Sequence, residues 1–516
     1  MSPWRWQAVA ACLSIGLSAF AGEQSGVDGV PGKIAQNLEP SYTPPTPLPP
    51  ANPTFLLREL NFSESVLLDK AELDAIAKNY LGRELSLRDL QQIVAEVNAL
   101  YQRKGMITAR ALLPPQKIEN GSVNIELVEG RLGKVELTGN EYTKDDYILS
   151  RVPLKAGAVI NGAKLDRDLK WFNRTNDVSL NAGLQPGAAY GESDVLLKAD
   201  EPPRYVLRVF ADNEGVPSTG RNEGGLSLQA NGPLGRGDSF NFYGTHSSGA
   251  DNGSVSYKLP VTRLGGAVAI AYAHNTTAVN AGPLQALGVT ALSTTALASY
   301  TQPWIANERW LLNTPVAYSR TRSDTKISDV TLSEFDVDKG SVGLAVDLRD
   351  PRYRVAFSQT VALLHTQDTF GRNTERTVFN GNASVVFRIT ENNYGVGRGG
   401  WQYSPGGDLP PSDLFQIGGP STVRGYDQGF IAGKSGYYGG IELHRQFTGY
   451  LNAFLFFDGG EVRSTGFAPQ SIQGTGIGAV ASYKKLTLEL TAGFALHQIQ
   501  PDQSNSRLDA RIEYSF

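Results

Sequence analysis

The chain has little of what would make it a disulfide-stabilised secreted protein, a helical membrane protein or a nucleic-acid-binding protein. It contains one cysteine, Cys12, so it cannot form a disulfide within itself. Beyond the N-terminal segment, no stretch has the eighteen or so consecutive apolar residues that a membrane-spanning helix needs. The formal net charge of −4 provides no basic surface for nucleic acid or acidic lipid. Stability must therefore come from packing and backbone pairing.

Motifs for catalysis and for metal or cofactor binding are missing as well. The glycines Gly474, Gly476 and Gly478 mimic a dinucleotide fingerprint, but no helix follows them, so small residues in a crowded strand explain them better. We therefore predict that the protein is not an enzyme and has no cofactor. The five histidines lack the spacing of metal ligands, at positions 246, 274, 365, 444 and 497.

The N-terminal segment has the pattern of an export signal. Arg5 supplies a basic start, residues 8–20 form an apolar core, and Ala21 ends a small-x-small cleavage site. The core is too short to span a membrane. A lipoprotein signal ending at Cys12 is an alternative, but too little apolar sequence precedes that cysteine. We expect residues 1–21 to be a signal peptide.

Residues 22–54 hold eight prolines. Proline removes backbone donors and favours an extended chain. We expect a semi-rigid linker in this segment. Only residues 33–38 of it could be helical, and a helix that short is not stable alone.

The next 150 or so residues contain two units with the same predicted order, strand-helix-helix-strand-strand. The clearest helix begins at Ser86, which forms a capping box with Asp89, and Gly105 ends it. Two strands follow it, with a turn at Asn120–Gly121 between them. The predicted strands of the first unit are 107–113 and 123–128, and the second unit has its first strand at 134–139, helices at 144–151 and 165–173, and strands at 178–184 and 194–199.

From Arg204 onward the helical period vanishes and strand-like alternation replaces it. In the last ten residues, charged and polar side chains occupy one face and apolar side chains the other, ending at Phe516. Residues 486–496 repeat this alternation. Such strands fit a wall between water and lipid. At roughly 20 residues per strand and connection, residues 203–516 hold about sixteen strands, and they must close into a barrel because an open edge in lipid would leave backbone groups unpaired.

Two motifs in this second half are the most informative feature of the chain. The first is Val423–Arg424–Gly425–Tyr426, in a glycine-rich loop between two predicted strands. The second contains Phe456, Asp458 and Gly460, in a strand rich in phenylalanine. A lone acid among so many aromatic side chains should be paired, because an unpaired buried charge is expensive.

These motifs resemble the signature of the outer-membrane BamA/TpsB superfamily. In that superfamily a long loop with the VRG-[YF] motif folds back into a barrel, and its arginine meets the aspartate of an [FG]-x-D-x-G strand. The segments Tyr80–Arg83, 112–116 and 128–132 resemble the first POTRA domain of two-partner-secretion transporters (TpsB; haemolysin secretion/activation, ShlB/FhaC/HecB-like). Residues 212–238 resemble the first barrel hairpin of these transporters.

The resemblance implies a fold class of α+β periplasmic POTRA domains followed by an all-β transmembrane barrel of about 16 antiparallel strands. Arg424 would then meet Asp458, in a gating or a purely structural role. Gln428 and Lys434 replace the acidic residues that often follow this loop motif, so we expect the loop to be anchored differently here. The implied domains are POTRA 1 at 55–132, POTRA 2 at 133–202, and the barrel at 203–516 with its motif loop at 418–436.

The resemblance also implies a function, namely capture of an unfolded exoprotein by the POTRA domains and its secretion through the barrel lumen. The expected partners are a large β-helical exoprotein of the adhesin or haemolysin type, outer-membrane lipid, and the barrel assembly machinery during biogenesis. Nucleic acid is not expected as a partner, and the protein should be a monomer. It would lie in the outer membrane of a Gram-negative bacterium, with its POTRA domains in the periplasm. An assembly factor that inserts other barrels is the alternative, and a passive porin comes third.

Overall fold

A computed structural model describes residues 54–516 except Ile107 and Asp502. The predicted signal peptide, residues 33–38 and all but the last residue of the predicted linker lie outside the described residues. Among the described residues the chain divides into two compact units, one with residues 54–201 apart from Arg174–Asp177, and the other with Arg174–Asp177 and residues 202–516.

The first unit begins with a strand-helix-helix-strand-strand domain. Strand β2 pairs in parallel with β5, which pairs antiparallel with β4. The capping box between Ser86 and Asp89 is present at the start of α2, as predicted. Asn120 and Gly121 both have positive φ, but they end a nine-residue connection rather than a tight hairpin. The elements are β1 (Phe55–Leu56), β2 (Glu59–Phe62), α1 (Lys70–Lys78), β3 (Glu84–Leu85), α2 (Leu87–Arg103), β4 (Ala109–Leu112) and β5 (Ser122–Glu129).

A second domain repeats this arrangement. Strand β6 pairs in parallel with β8, and β7 pairs antiparallel with β8. Because β6 begins at Arg131, the break between the two domains falls before that residue and not after residue 132 as predicted. No helix among the described residues is long and apolar enough to cross a membrane. The elements are β6 (Arg131–Thr138), α3 (Asp145–Arg151), α4 (Gly162–Thr175), β7 (Ser179–Pro186) and β8 (Glu192–Asp200).

Sixteen antiparallel strands then close into a barrel, which confirms the predicted architecture. The two short strands β20 and β21 pair only with each other, inside the connection between β19 and β22. The strands are β9 (Tyr205–Asp212), β10 (Glu223–Asn231), β11 (Ser239–His246), β12 (Ala250–Pro260), β13 (Ala267–Ala278), β14 (Val289–Ala306), β15 (Trp310–Ile327), β16 (Val330–Arg349), β17 (Tyr353–Asp368), β18 (Asn373–Arg388), β19 (Asn393–Tyr403), β20 (Phe415–Ile417), β21 (Ile431–Gly433), β22 (Ser435–Thr448), β23 (Leu451–Arg463), β24 (Gln470–Tyr483), β25 (Leu486–Ala495) and β26 (Ser506–Ser515).

The alternation predicted for the last strand is present in the barrel wall. Arg507 and Asp509 are buried on the inner face of β26, whereas Leu508 and Ile512 are exposed on the outer face. Exposed leucines of β25 continue the outer apolar surface. A wall with bulky apolar side chains outside and polar ones inside is what a barrel needs between lipid and an aqueous lumen.

Candidate functional site

The loop motif lies in the longest connection of the barrel, between β19 and β22. We call this connection, residues 404–434, the lumen loop. It was predicted at 418–436, but it begins fourteen residues earlier, and Ser435 and Gly436 already belong to β22. It contains a single 3₁₀ turn, Pro411–Asp413, and the β20–β21 hairpin.

Asp458 projects from the inner face of β23 and is fully buried. Glycines stand opposite it on both neighbouring strands, Gly440 on β22 and Gly474 on β24. A Cβ atom at Gly440 would lie 2.2 Å from Asp458 Oδ1, and one at Gly474 would lie 1.9 Å from the carbonyl oxygen of Arg424. These two glycines therefore make the space in which the carboxylate and the loop meet.

Arg424 reaches this carboxylate with two parallel hydrogen bonds. Its Nε donates to Asp458 Oδ2 at 2.7 Å and its Nη2 donates to Oδ1 at 2.9 Å. The backbone N–H of Arg424 also donates to Oδ2, at 3.2 Å. The guanidinium carbon lies 3.7 Å from the centroid of the Phe456 ring, and only 5% of Arg424 is exposed. This planar two-point contact is the strong form of an arginine–carboxylate pair.

Two further charged residues complete the cluster around Asp458. Glu442 on β22 accepts from Arg424 Nη1 at 2.8 Å. Arg398 on β19 contacts Asp458 Oδ2 at 3.4 Å and donates to the carbonyl oxygen of Ser421 in the lumen loop at 2.9 Å. Two guanidinium groups thus face two carboxylates in this cluster.

A histidine extends this cluster along the inner wall. His444 contacts Glu442 Oε2 through Nε2 at 2.7 Å and Asn452 Oδ1 through Nδ1 at 2.9 Å. Its ring is stacked between Tyr394 and Phe454, with centroids 4.5 Å and 4.7 Å away. Because packing and hydrogen bonds both fix the imidazole, it holds Glu442 in place for Arg424.

The other motif residues hold the loop backbone against the wall. The Tyr426 hydroxyl lies 2.9 Å from the carbonyl oxygens of both Gln473 and His497. Gly425 has φ +95°, and a Cβ there would lie 2.8 Å from the carbonyl carbon of Phe494. Val423 is fully buried in a small apolar cluster that includes residues of the hairpin and of the wall. The loop therefore approaches the wall too closely for a side chain at position 425.

The predicted strand motif lines the same face of β23. Phe456 lies under the guanidinium of Arg424, opposite Gly476 on β24. A Cβ at Gly476 would lie 2.7 Å from the Phe456 ring, which supports the interpretation of these glycines as small residues in a crowded wall. At Gly460 a Cβ would lie 2.6 Å from the Tyr437 carbonyl oxygen.

The first half of the lumen loop is anchored to a different part of the wall. Asp413 forms a salt bridge of 2.6 Å with Lys339 on β16. Leu409 is buried in an apolar cluster with Val337 and Leu364 of the neighbouring strands β16 and β17. The sequence alone gave no indication of this second anchor.

The expectation that acidic residues are missing after the loop motif is wrong, because Asp427 is present there. This acidic residue directly follows Tyr426, so the loop does not depart from the pattern in the way that Gln428 and Lys434 had indicated. Its Oδ1 lies 2.6 Å from Arg507 Nη1 on β26 and 2.9 Å from Arg221 Nη2 in the β9–β10 connection.

The sequence predictions therefore located the Arg424–Asp458 contact but missed Glu442, Arg398, Asp427 and Asp413. Alternation in β22 marks Glu442 and His444 as inward-facing, but it does not show which loop residue they contact. Among the described residues, no group of three or more histidine, cysteine or acidic side chains could hold a metal ion.

Three family models match the chain. Residues 55–130 match the POTRA domain of ShlB type, and residues 131–176 match the POTRA model described as a surface antigen variable number repeat. Residues 191–481 match the model for the haemolysin secretion/activation protein ShlB/FhaC/HecB.

Curated relatives and solved structures agree with these matches. The heme/hemopexin transporter protein HuxB of Haemophilus influenzae is 27% identical over 424 residues, 75% of this chain and 72% of the relative. The outer membrane transporter CdiB of Dickeya dadantii is 25% identical over 483 residues, 87% of this chain and 85% of the relative. CdiB from Escherichia coli shares the fold with a TM-score of 0.68 at 22% identity, over 92% of this chain and 93% of that one. BamA from Haemophilus ducreyi shares it with a TM-score of 0.56 at 14% identity, over 90% of this chain and all of that one.

Proposed function

Because this chain belongs to the haemolysin secretion/activation protein family ShlB/FhaC/HecB, we propose that it secretes one large exoprotein and that the lumen loop controls its passage. The chain is an outer-membrane transporter of the two-partner secretion class, with POTRA domains in the periplasm. The identity of its cargo and the role of the loop residues are the parts that we infer.

Two salt bridges anchor the lumen loop to different strands of the barrel. Its Asp413 is bound to β16, the eighth strand of the barrel, and its Asp427 is bound to β26, the sixteenth. In a closed ring of sixteen strands these positions are diametrically opposite. The loop therefore crosses the lumen, and an extended polypeptide can pass only after the loop has moved.

The direction of the strands places the lumen loop on the outer side of the membrane. The POTRA domains are periplasmic and precede β9, so β9 begins at the periplasmic end of the barrel. Because the strands alternate in direction, the connection after the eleventh strand, β19, is extracellular. The loop folds back from that side, where secreted cargo must leave.

The burial of the Arg424–Asp458 pair suits a latch that stays closed until cargo arrives. Removing one partner of such a buried pair costs about 3–5 kcal/mol, compared with about 1 kcal/mol at most for an exposed pair. Asp458 is fully buried and Arg424 nearly so, which favours the larger value.

The periplasm has no ATP, so we infer that cargo folding outside the cell drives transport.

The edge strands of the POTRA sheets support a role in cargo capture by strand addition. Strands β4 and β7 lie at equivalent edges of the two sheets. In the first domain Asn98 of α2 covers the edge at Ala111, and in the second Asn173 of α4 covers the edge at Leu180. Strand β4 has four residues and β7 has eight. After this capping each sheet still has an edge to which an extended cargo segment can add, and we infer that capture needs both domains.

A large exoprotein of the adhesin or haemolysin type is the cargo that the family membership favours. The test is to express the chain together with the large secreted repeat protein encoded nearest to its gene and to assay the culture medium. We expect that protein in the medium only when the transporter is present. If it is secreted without the transporter, this cargo assignment is wrong.

Insertion of other barrels is the alternative function, which the BamA-like fold permits. In the same experiment the unrelated porins of the outer membrane should stay at normal levels when the transporter gene is deleted. Their depletion would favour the assembly function over secretion.

A further inference from the structure

The barrel closes where β26 meets β9, and we call this contact the seam. It has five residue pairs, from Arg511 opposite Asp212 to Ser515 opposite Arg208, whereas β26 shares nine pairs with β25 on its other side. The extracellular half of β26, residues 506–510, therefore has no ladder partner on β9. A strand half left without a ladder needs another way to satisfy its backbone groups.

Side chains replace the missing ladder at this end of the seam. The Asn213 side chain accepts a hydrogen bond from the Ala510 N–H at 2.8 Å and donates to the Leu508 carbonyl oxygen at 2.8 Å. Arg507 Nη2 donates to the Asn213 carbonyl oxygen at 3.1 Å. Arg507 thus ties the free half of β26 to the segment that follows β9.

Arg507 is itself held by the lumen loop. It is buried, with Asp427 on one side at 2.6 Å and Asp509 on the other. The same Asp427 oxygen contacts Arg221, which belongs to the connection that follows β9. One carboxylate of the loop therefore joins the two sides of the seam, three residues beyond Arg424.

We propose that Asp427 is a positioning residue that couples the lumen loop to the seam. While the loop is docked, Asp427 clamps the extracellular half of β26 to the β9–β10 connection. When the loop leaves the wall, the clamp is lost and this half of the seam opens more often. The inference rests on the proposed movement of the loop, but it concerns a different part of the barrel.

Hydrogen exchange measures the opening of the seam directly, because the exchange rate of a protected amide follows the population of its open state. The experiment uses the full chain in lipid nanodiscs and compares wild type with Asp427→Asn and Asp427→Glu. Asp427→Asn should fold, because Arg507 keeps Asp509. Asp368→Asn is the matched control, because Asp368 pairs with Arg372 in the β17–β18 turn at 2.6 Å, on the side of the barrel opposite the seam.

We expect exchange in residues 503–516 and 213–222 to be about fivefold faster in Asp427→Asn, the effect of losing one partly exposed ion pair. Asp427→Glu should return exchange close to the wild-type rate, and Asp368→Asn should leave it unchanged. If amides at the seam exchange in Asp427→Asn at the same rate as in wild type, the proposal is overturned. An equal acceleration in β13 and β14 would also overturn it, since that would mean general destabilisation.

Arg424→Ala separates this inference from the proposed latch. If both hold, exchange rises in the lumen loop and at the seam together. Faster exchange in the loop with an unchanged seam would overturn the coupling and leave the latch standing. Unchanged exchange in the loop would contradict the latch itself.

Discussion

Asp413 and Asp427 lie fourteen residues apart in one loop and are salt-bridged to opposite walls of the barrel, Asp413 through Lys339 on β16 and Asp427 through Arg507 on β26. The Arg424–Asp458 pair lies between these two anchors in the order of the wall, on the thirteenth strand. The loop therefore spans the lumen and is bound to the barrel wall at several points, each of which can be tested separately.

Loss of the β16 anchor should loosen the loop without preventing the barrel from folding. In Lys339→Met the aliphatic part of the side chain is kept while the ion pair with Asp413 is removed. Because the two side chains are only 20% and 9% exposed, the cost lies between about 1 kcal/mol for an exposed pair and about 3–5 kcal/mol for a buried one. We expect larger and more frequent ion conductance in planar bilayers than for wild type.

The matched control for this prediction is Lys326→Met. Lys326 pairs with Asp324 on β15 at 3.3 Å, away from the loop. Equal conductance in wild type and Lys339→Met would show that the anchor does not hold the loop across the lumen.

Secretion of the cargo should depend on the free space around Asp458 as much as on the charge of Asp458. Gly440→Ala would place a methyl group 2.2 Å from Asp458 Oδ1, and overpacking of this kind costs about 1–3 kcal/mol. We expect normal amounts of the folded barrel but a severe loss of secreted cargo. Gly439→Ala is the control, since its added methyl group would lie 3.8 Å from the nearest atom, the Arg398 carbonyl oxygen. Full secretion by Gly440→Ala would contradict the role of the carboxylate.

Deletion of residues 55–130 should separate cargo capture from membrane insertion. The deletion removes the whole first POTRA domain and its sheet edge but none of the sixteen barrel strands. We expect a heat-modifiable barrel in the outer membrane and no cargo in the medium. Normal secretion by this truncation would show that the first POTRA domain is not needed for capture.

The sequence predicted the architecture well because the strongest signals were local. Alternation along a strand, the cap at Ser86 and the position of the turn before β5 depend on neighbouring residues, and each is present. The contact between Arg424 and Asp458 was predicted from the two sequence motifs and not from the spacing of the two residues.

The partners of that contact could not be predicted in the same way. Whether Glu442 faces Arg424 depends on the register of β22 against β23 and on the path of a loop that is not regular. The anchor at Lys339 joins residues 74 positions apart, and no local pattern indicates such a pair. Asp427 could have been identified from the sequence alone, because it directly follows the motif.

We propose that Arg424 and Asp458 act as one latch. Each residue keeps a second partner when the other is removed, Glu442 for Arg424 and Arg398 for Asp458, so the single variants should still fold. Arg424→Lys should also lose secretion of the cargo, because an ammonium group cannot reproduce the planar two-point contact.

The most direct test is the amount of cargo in the medium, normalised to transporter in the outer membrane, for wild type, Arg424→Ala, Asp458→Ala and the double variant. We predict a severe loss in both single variants and no further loss in the double variant, because the coupling between the two residues is already gone. Strictly additive losses, or full secretion by Arg424→Ala, would contradict the claim that this pair is the latch.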